Sequence, residues 1–160
     1  MPNIFTAAVR CLLIPINGGQ LLLPCAVVAE VSPYKEPSTT AENQPNWLLG
    51  IINWRNQTVP LLSIEEALSL SVMTPSAPKY RTVILYGLES SQMMPFYAFR
   101  AIDMPRTLNI TEDSLSHPNA DARMGLVFNV KVHNTEVGWL PDLTYLENLL
   151  IKSRAFNFPR

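Results

Sequence analysis

The chain has 160 residues, enough to bury a substantial core as one domain or two small ones. Its net charge is −1 with acids and bases scattered, which excludes the basic stripe of a nucleic-acid binder and the polybasic segment of a lipid-surface protein. Fourteen prolines argue against long helices. Residues 1–10 lack the basic head and apolar run of a signal peptide, and the longest apolar run, 21–29, is broken by Pro24 and too short to insert in a bilayer. The expected location is therefore cytoplasmic.

In chain order, residues 11–16 and 20–23 are short apolar runs around Asn17-Gly18-Gly19, a strong hairpin signal. A three-residue loop there places Cys11 opposite Cys25; a two-residue loop shifts them out of register. Buried packing is the favoured reading of both thiols, because a disulfide does not suit a reducing compartment. Residues 26–31 predict a further strand, with Val27, Val28 and Val31 apolar and Glu30 exposed. Residues 32–46, rich in Pro, Ser and Thr, predict a surface loop.

Residues 48–54 and 58–62 then predict two apolar strands around the polar tip Arg55-Asn56-Gln57. Asn tolerates a left-handed backbone, which suits Asn56 to the turn. The plain reading of Arg55 is a solvated turn residue. The sharper one is a planar, permanently charged fork offered to a protein partner, with Trp54 as an anchor beside it and Asn53 flanking it. Ser63 with Glu66 reads as a capping box opening a helix to Leu70. Residues 72–81 read as a connection between halves.

The second half predicts strands over 82–88, 93–102, 125–132 and 135–140, a short cap at 111–115, and a loop at 117–121. The final helix, 142–152, carries Leu143, Leu146, Leu149 and Leu150 on one face. Both halves repeat one order of hairpin, polar cap and apolar-faced helix. Strands this short predict an all-β barrel or sandwich with short helices.

Catalytic and metal chemistry is not signalled. His117 and His133 fall in predicted turns without ligands at metal spacing. Glu65-Glu66 and Glu112-Asp113 sit at predicted helix starts, where the helix dipole favours acids. No G-x-S-x-G and no phosphate-binding glycine loop occurs. Met93, Met94, Phe96, Tyr97 and Phe99 read as core packing, with a plastic docking surface as the alternative. Trp47 and Trp139 are expected buried, and Trp54 is expected at an interface.

The run Gly50-Ile51-Ile52-Asn53-Trp54-Arg55-Asn56-Gln57-Thr58-Val59-Pro60-Leu61-Leu62 resembles the signature of the CheW-like domain, the coupling protein of bacterial chemotaxis. That signature is roughly G-V-I-N-L-R-G-x-I-V-P-V-V-D-L, and Gly50, Asn53, Arg55, Val59 and Pro60 fit it. Trp54 stands in place of an aliphatic residue, Asn56 in place of glycine and Ser63 in place of aspartate. The resemblance implies an all-β fold of two five-stranded SH3-like barrels packed side by side. It implies a single domain over 1–160, with sub-barrels near 8–71 and 82–140. It further implies a non-catalytic adaptor, without cofactor or metal, between a CheA-type histidine kinase and the signalling tips of methyl-accepting chemoreceptors. The protein-binding residues it implies are Val28, Glu30, Gly50, Asn53, Trp54, Arg55 and Asn56. The departures look like the divergent adaptors of type IV pilus, or twitching-motility, chemosensory systems. The alternative is an SH3-like-barrel protein-binding module outside chemosensing.

Overall fold

The computed structural model describes residues 8–38, 44–70, 77–89, 91–111, 115–119, 126–132 and 136–153; for 115–119, 126–132 and 136–137 the backbone alone is described. The strands are β1 (Val9–Ile16), β2 (Gly19–Pro24), β3 (Val28–Pro33), β4 (Leu48–Trp54), β5 (Gln57–Leu62), β6 (Arg81–Tyr86), β7 (Phe96–Ala101), β8 (Arg106–Ile110), β9 (Leu115–Asn119), β10 (Leu126–Val132) and β11 (Glu136–Pro141). The helices are α1 (Ile64–Ala67) and α2 (Leu143–Ser153), and a 3-10 turn, Cys25–Val27, precedes β3.

These strands form two mixed sheets, and neither is the closed barrel that the resemblance implies. One has six strands in the order β8-β1-β2-β11-β10-β9; the other has five in the order β3-β6-β7-β5-β4. Among the described residues, the two end strands of neither sheet pair with each other. Nor do the sheets follow the expected halves, 8–71 and 82–140. The five-stranded sheet is one continuous stretch of chain, β3 to β7, inserted between β2 and β8 of the six-stranded one. Each sheet contains one parallel pairing, β2 with β11 and β5 with β7, which no local turn encodes.

The local devices explain the hairpins. Ile16 pairs with Gly19, so the first loop has two residues and Cys11 lies opposite Pro24 rather than Cys25. The thiols also pack in different places: Cys11 sits with Leu13, Leu22 and Ile110, whereas Cys25 packs against the main core. Both are free, and burial pushes the Cys11 thiol upward from its ordinary value.

Ser63 caps α1, its Oγ accepting from the Glu66 amide at 3.3 Å. The helix stops at Ala67, short of the expected Leu70. Ser69 takes φ 55°, and the amides of Ser69 and Leu70 bond back to the Glu66 and Glu65 carbonyls, a Schellman ending. The second helix is capped likewise, Asp142 Oδ1 accepting from the Tyr145 amide at 3.1 Å. His117, expected in a loop, lies on β9, an edge strand where Pro118 is tolerated. His133 lies outside the described residues, as do 112–114 of the cap expected at 111–115, whose last residue, Leu115, begins β9.

One large apolar core lies between the sheets and receives Ile64 and Ala67 of α1, Leu68 at its C-terminal cap, and Leu146 and Leu150 of α2. A second cluster, Ile52, Trp54, Val59, Leu61, Ile84 and Ala98, covers the other face of the five-stranded sheet. The edge strands of that sheet, β3 and β4, are drawn together by the chain after β3. Ser38 and Ile51 exchange backbone hydrogen bonds of 2.9 and 2.8 Å. Gly50 permits this approach: its φ is +146°, and a Cβ there would collide with the Ser38 carbonyl oxygen.

Gly50→Ala is accordingly expected to cost about 2 kcal/mol or more, from backbone strain together with displacement of the residue 37–38 segment. Thermal unfolding should register this as a drop of several degrees in Tm. An unchanged Tm would show that the contact with Ser38 is dispensable.

Candidate functional site

The site lies at the tip of the β4–β5 hairpin. Trp54 pairs with Gln57, leaving Arg55 and Asn56 as a two-residue turn. Their φ values are 49° and 63°, both left-handed, as a type I′ hairpin turn requires. Asn accepts this conformation readily; for arginine it costs about 1 kcal/mol.

Three side chains meet there. The Trp54 indole Nε1 donates to Glu30 Oε2 at 2.6 Å, and Arg55 Nη2 donates to Glu30 Oε1 at 3.1 Å. The guanidinium carbon stands 4.7 Å from the centre of the Trp54 ring, within cation–π range. Each oxygen of one carboxylate thus holds a different residue of the opposite sheet edge. The Arg55 side chain is nevertheless 66% exposed, and that of Glu30 33%. The ion pair is therefore worth at most about 1 kcal/mol. Its effect is orientation: one guanidinium nitrogen is engaged by Glu30 while the side chain stays mostly exposed.

The indole hydrogen bond is the largest influence holding the Glu30 carboxyl below the usual glutamate range; the Arg55 bond and charge, with the Lys35 charge, add to it against partial burial. Lys35 itself donates to the Asn53 carbonyl at 3.4 Å. Sequence reading did not single out Lys35.

Of the residues expected at the site, Glu30, Trp54 and Arg55 are brought together, with Asn53 and Asn56 exposed beside them. Val28 is half-buried on β3 and packs against the main core. Gly50 lies further back on β4, under Ser38. Trp54 corrects its expected role. It is only 6% exposed and packs edge-on against Phe96, centroids 4.8 Å apart, so it positions Glu30 and underlies Arg55 rather than offering its own face. Trp47 and Trp139, expected buried, are half-buried. The Met-aromatic segment divides: Met94, Tyr97 and Phe99 are buried, Phe96 is half-buried, and Met93 is exposed.

Among the described residues no group of three or more His, Cys, Asp or Glu is placed to hold a metal ion, and no helix is long and apolar enough to cross a membrane.

The sequence model of the CheW-like domain family matches residues 10–135. The chain belongs to the CheW-like domain family. It is similar in structure to the scaffolding protein TtCheW of Thermoanaerobacter tengcongensis, with a TM-score of 0.69, 15% identity, and coverage of 89% of this chain and 90% of that one. At that identity the likeness bears on the fold. No curated protein matches the chain. As a CheW-like domain it is a non-catalytic adaptor of the kind found in chemotaxis-type signalling scaffolds.

Because the Glu30 pKa is lowered in the folded protein, its contribution to stability is complete above the unfolded value, about 4.3, and is lost as pH falls through the folded one. The Trp54 indole N–H resonance should therefore stay constant from pH 7 to 5 and titrate with a midpoint below that value. Glu30→Gln should abolish the titration while changing stability by no more than about 1 kcal/mol. An indole resonance that does not respond to acid would dissociate Trp54 from Glu30.

Proposed function

We propose that this CheW-like protein links a CheA-type histidine kinase to the signalling tips of methyl-accepting chemoreceptors in the cytoplasm, working by binding as one unit over residues 1–160. The observation that carries the reading is Arg55. It is an exposed arginine kept at a left-handed turn position that glycine would occupy without strain, and oriented by Glu30 and Trp54. Backbone strain concentrates where a side chain serves something other than local stability. A mostly exposed guanidinium suits a carboxylate or a row of backbone carbonyls on a partner. Val28 and Glu30 on β3 line the receptor side, Asn53, Arg55 and Asn56 form the coupling tip, and Gly50 and Trp54 support that tip from beneath.

The finer assignment is to a type IV pilus, or twitching-motility, chemosensory system. It is supported by departures of this chain from the family signature, Trp54, Asn56 and Ser63. Trp54 supplies the indole that fixes Glu30, a bond an aliphatic residue cannot make.

Two substitutions test the coupling role. Arg55→Ala should leave the circular dichroism and Tm within about 1 kcal/mol of wild type and reduce receptor-dependent kinase stimulation at least tenfold in a reconstituted receptor–kinase–adaptor assay. Arg55→Gly relieves the left-handed strain and should be no less stable, yet equally defective. Normal stimulation by either folded variant would remove the assignment. For the pathway, deletion of the gene should abolish twitching while swimming persists; the opposite pattern would place the protein in a flagellar system.

A further inference from the structure

The five-stranded sheet carries a second arginine over aromatic rings, at the end opposite the Arg55 tip. At the tip end, Tyr86 of β6 pairs with Phe96 of β7, which meets Trp54; at the other end, Arg81 pairs with Ala101. Arg100, one residue before Ala101, pairs with Thr82. Pro33 of β3 pairs with Arg81, so Tyr34 and Tyr80 stand one step beyond the last β3–β6 pair. Their rings meet at 5.4 Å between centroids, tilted by 52°. The guanidinium carbon of Arg100 stands 4.4 Å from the centre of the Tyr80 ring and 5.8 Å from that of Tyr34, both within cation–π range. All three residues are half-buried, which makes such contacts stronger than they are in open water.

The stack stands where the chain leaves the sheet. β3 ends at Pro33, and residues 34–37 belong to no strand before Ser38 reaches Ile51 of β4. This crossing carries the chain from one edge of the sheet to the other. Pro33 and Pro37, at its two ends, have no N–H with which to hold it. Lys35 and Ser38 tie it to β4, through the Asn53 carbonyl and the Ile51 backbone. On the β3 side the tie is the Tyr34 ring. Its two partners are themselves fixed. The Lys79 amide donates to the Ile102 carbonyl at 3.0 Å, which continues the β6–β7 pairing past Arg81 and steadies Tyr80. Arg100 belongs to β7, an interior strand of the sheet. Attraction between a cation and a ring depends on the cation lying over the ring face, so the stack has direction as well as cohesion.

We propose that the Arg100–Tyr80–Tyr34 stack is the corner pin of this crossing. It fixes where and in which direction the chain leaves β3, and so holds residues 34–38 across the seam between β3 and β4. This role goes beyond coupling and needs nothing from it. The pinned segment reaches β4 at Asn53 and Ile51, behind Arg55. Under the coupling reading the three residues are therefore positioning groups for the tip, not contacts of the partner.

The test is amide exchange by NMR on the full chain. Arg100→Met keeps an apolar stem and removes the charge, Tyr80→Leu removes the ring, and Tyr80→Phe keeps it. In Arg100→Met and Tyr80→Leu, exchange of the Ser38 and Ile51 amides should quicken about fivefold or more, the scale of one or two half-buried cation–π contacts. Amides of the interior strands β6 and β7 should keep their wild-type rates, and Tyr80→Phe should match the wild type throughout. Unchanged exchange at Ser38 and Ile51 in folded Arg100→Met would overturn the pin. Equal quickening across the whole sheet would do the same, as would a Tyr80→Phe variant as loose as Tyr80→Leu. If Arg100→Met does not fold, the two Tyr80 variants decide. Kinase stimulation reads the Arg55 role separately: its loss leaves the exchange pattern standing, and failure of the pin leaves Arg55 untouched.

Discussion

The 2.6 Å bond from the Trp54 indole to Glu30 joins two strands that the backbone leaves apart. The five-stranded sheet begins at β3 and ends at β4, and no ladder connects those edges. Curling brings them near, and then three contacts hold them: the backbone exchange between Ser38 and Ile51, the Lys35 ammonium on the Asn53 carbonyl, and the Glu30 carboxylate on Trp54 and Arg55. An open edge of a sheet is a liability, exposing donors and acceptors to stray pairing. Here the gap is covered by side chains, which leaves the edge strands available as surfaces while limiting how far they separate. Arg55 stands in the turn just beyond Trp54 and bonds to Glu30 across that seam, so its side-chain direction depends on the seam being closed.

The burial of Trp54 underneath Arg55 follows from the same arrangement. An indole in this place cannot be left with its N–H unsatisfied, and Glu30 is the acceptor. The carboxylate then has its second oxygen available for Arg55. Neither contact to the arginine is strong, because the side chain is mostly in water. Together they restrict a long, flexible side chain to one direction, and a restricted donor loses less entropy when a partner engages it. Left-handed backbone strain at Arg55 acts against stability, and the turn tolerates it because both strands of the hairpin are paired up to the tip.

Local chemistry made much of this legible in the sequence. Asn17-Gly18 and Asn56 marked their turns, Ser63 marked the α1 cap, and the leucine spacing marked α2. The family signature located the hairpin that bears Arg55. Alternation also held a signal that was not used: Ile52 and Trp54 stand two residues apart on one face of β4 and pack there with Val59 and Leu61, which places Trp54 in an apolar cluster. What no spacing could reveal was contact between distant segments. Glu30 and Arg55 are 25 positions apart and belong to opposite edges of a sheet. The parallel pairings of β2 with β11 and β5 with β7 have no turn between their strands to announce them. Without those pairings the repeated order of hairpin, cap and helix suggests two consecutive halves, whereas the chain nests one sheet inside the other.

Nesting has a mechanical consequence. A sheet inserted into another is attached by two covalent connections, here the 3-10 turn at Cys25–Val27 on entry and the segment between β7 and β8 on exit. The exit is pinned close to its origin, since the Ile102 amide bonds to the Pro15 carbonyl of β1 at 3.0 Å. Two connections leaving from one side would act as a hinge if nothing else spanned the sheets. The helices prevent that, because each is continuous with one sheet and seats its leucines or isoleucine in the shared core against the other. Rigidity between the sheets is thus produced by short helices that the strand pattern alone makes look incidental. An adaptor has no reaction to perform; holding its surfaces at a constant separation and angle is the physical task that remains to it.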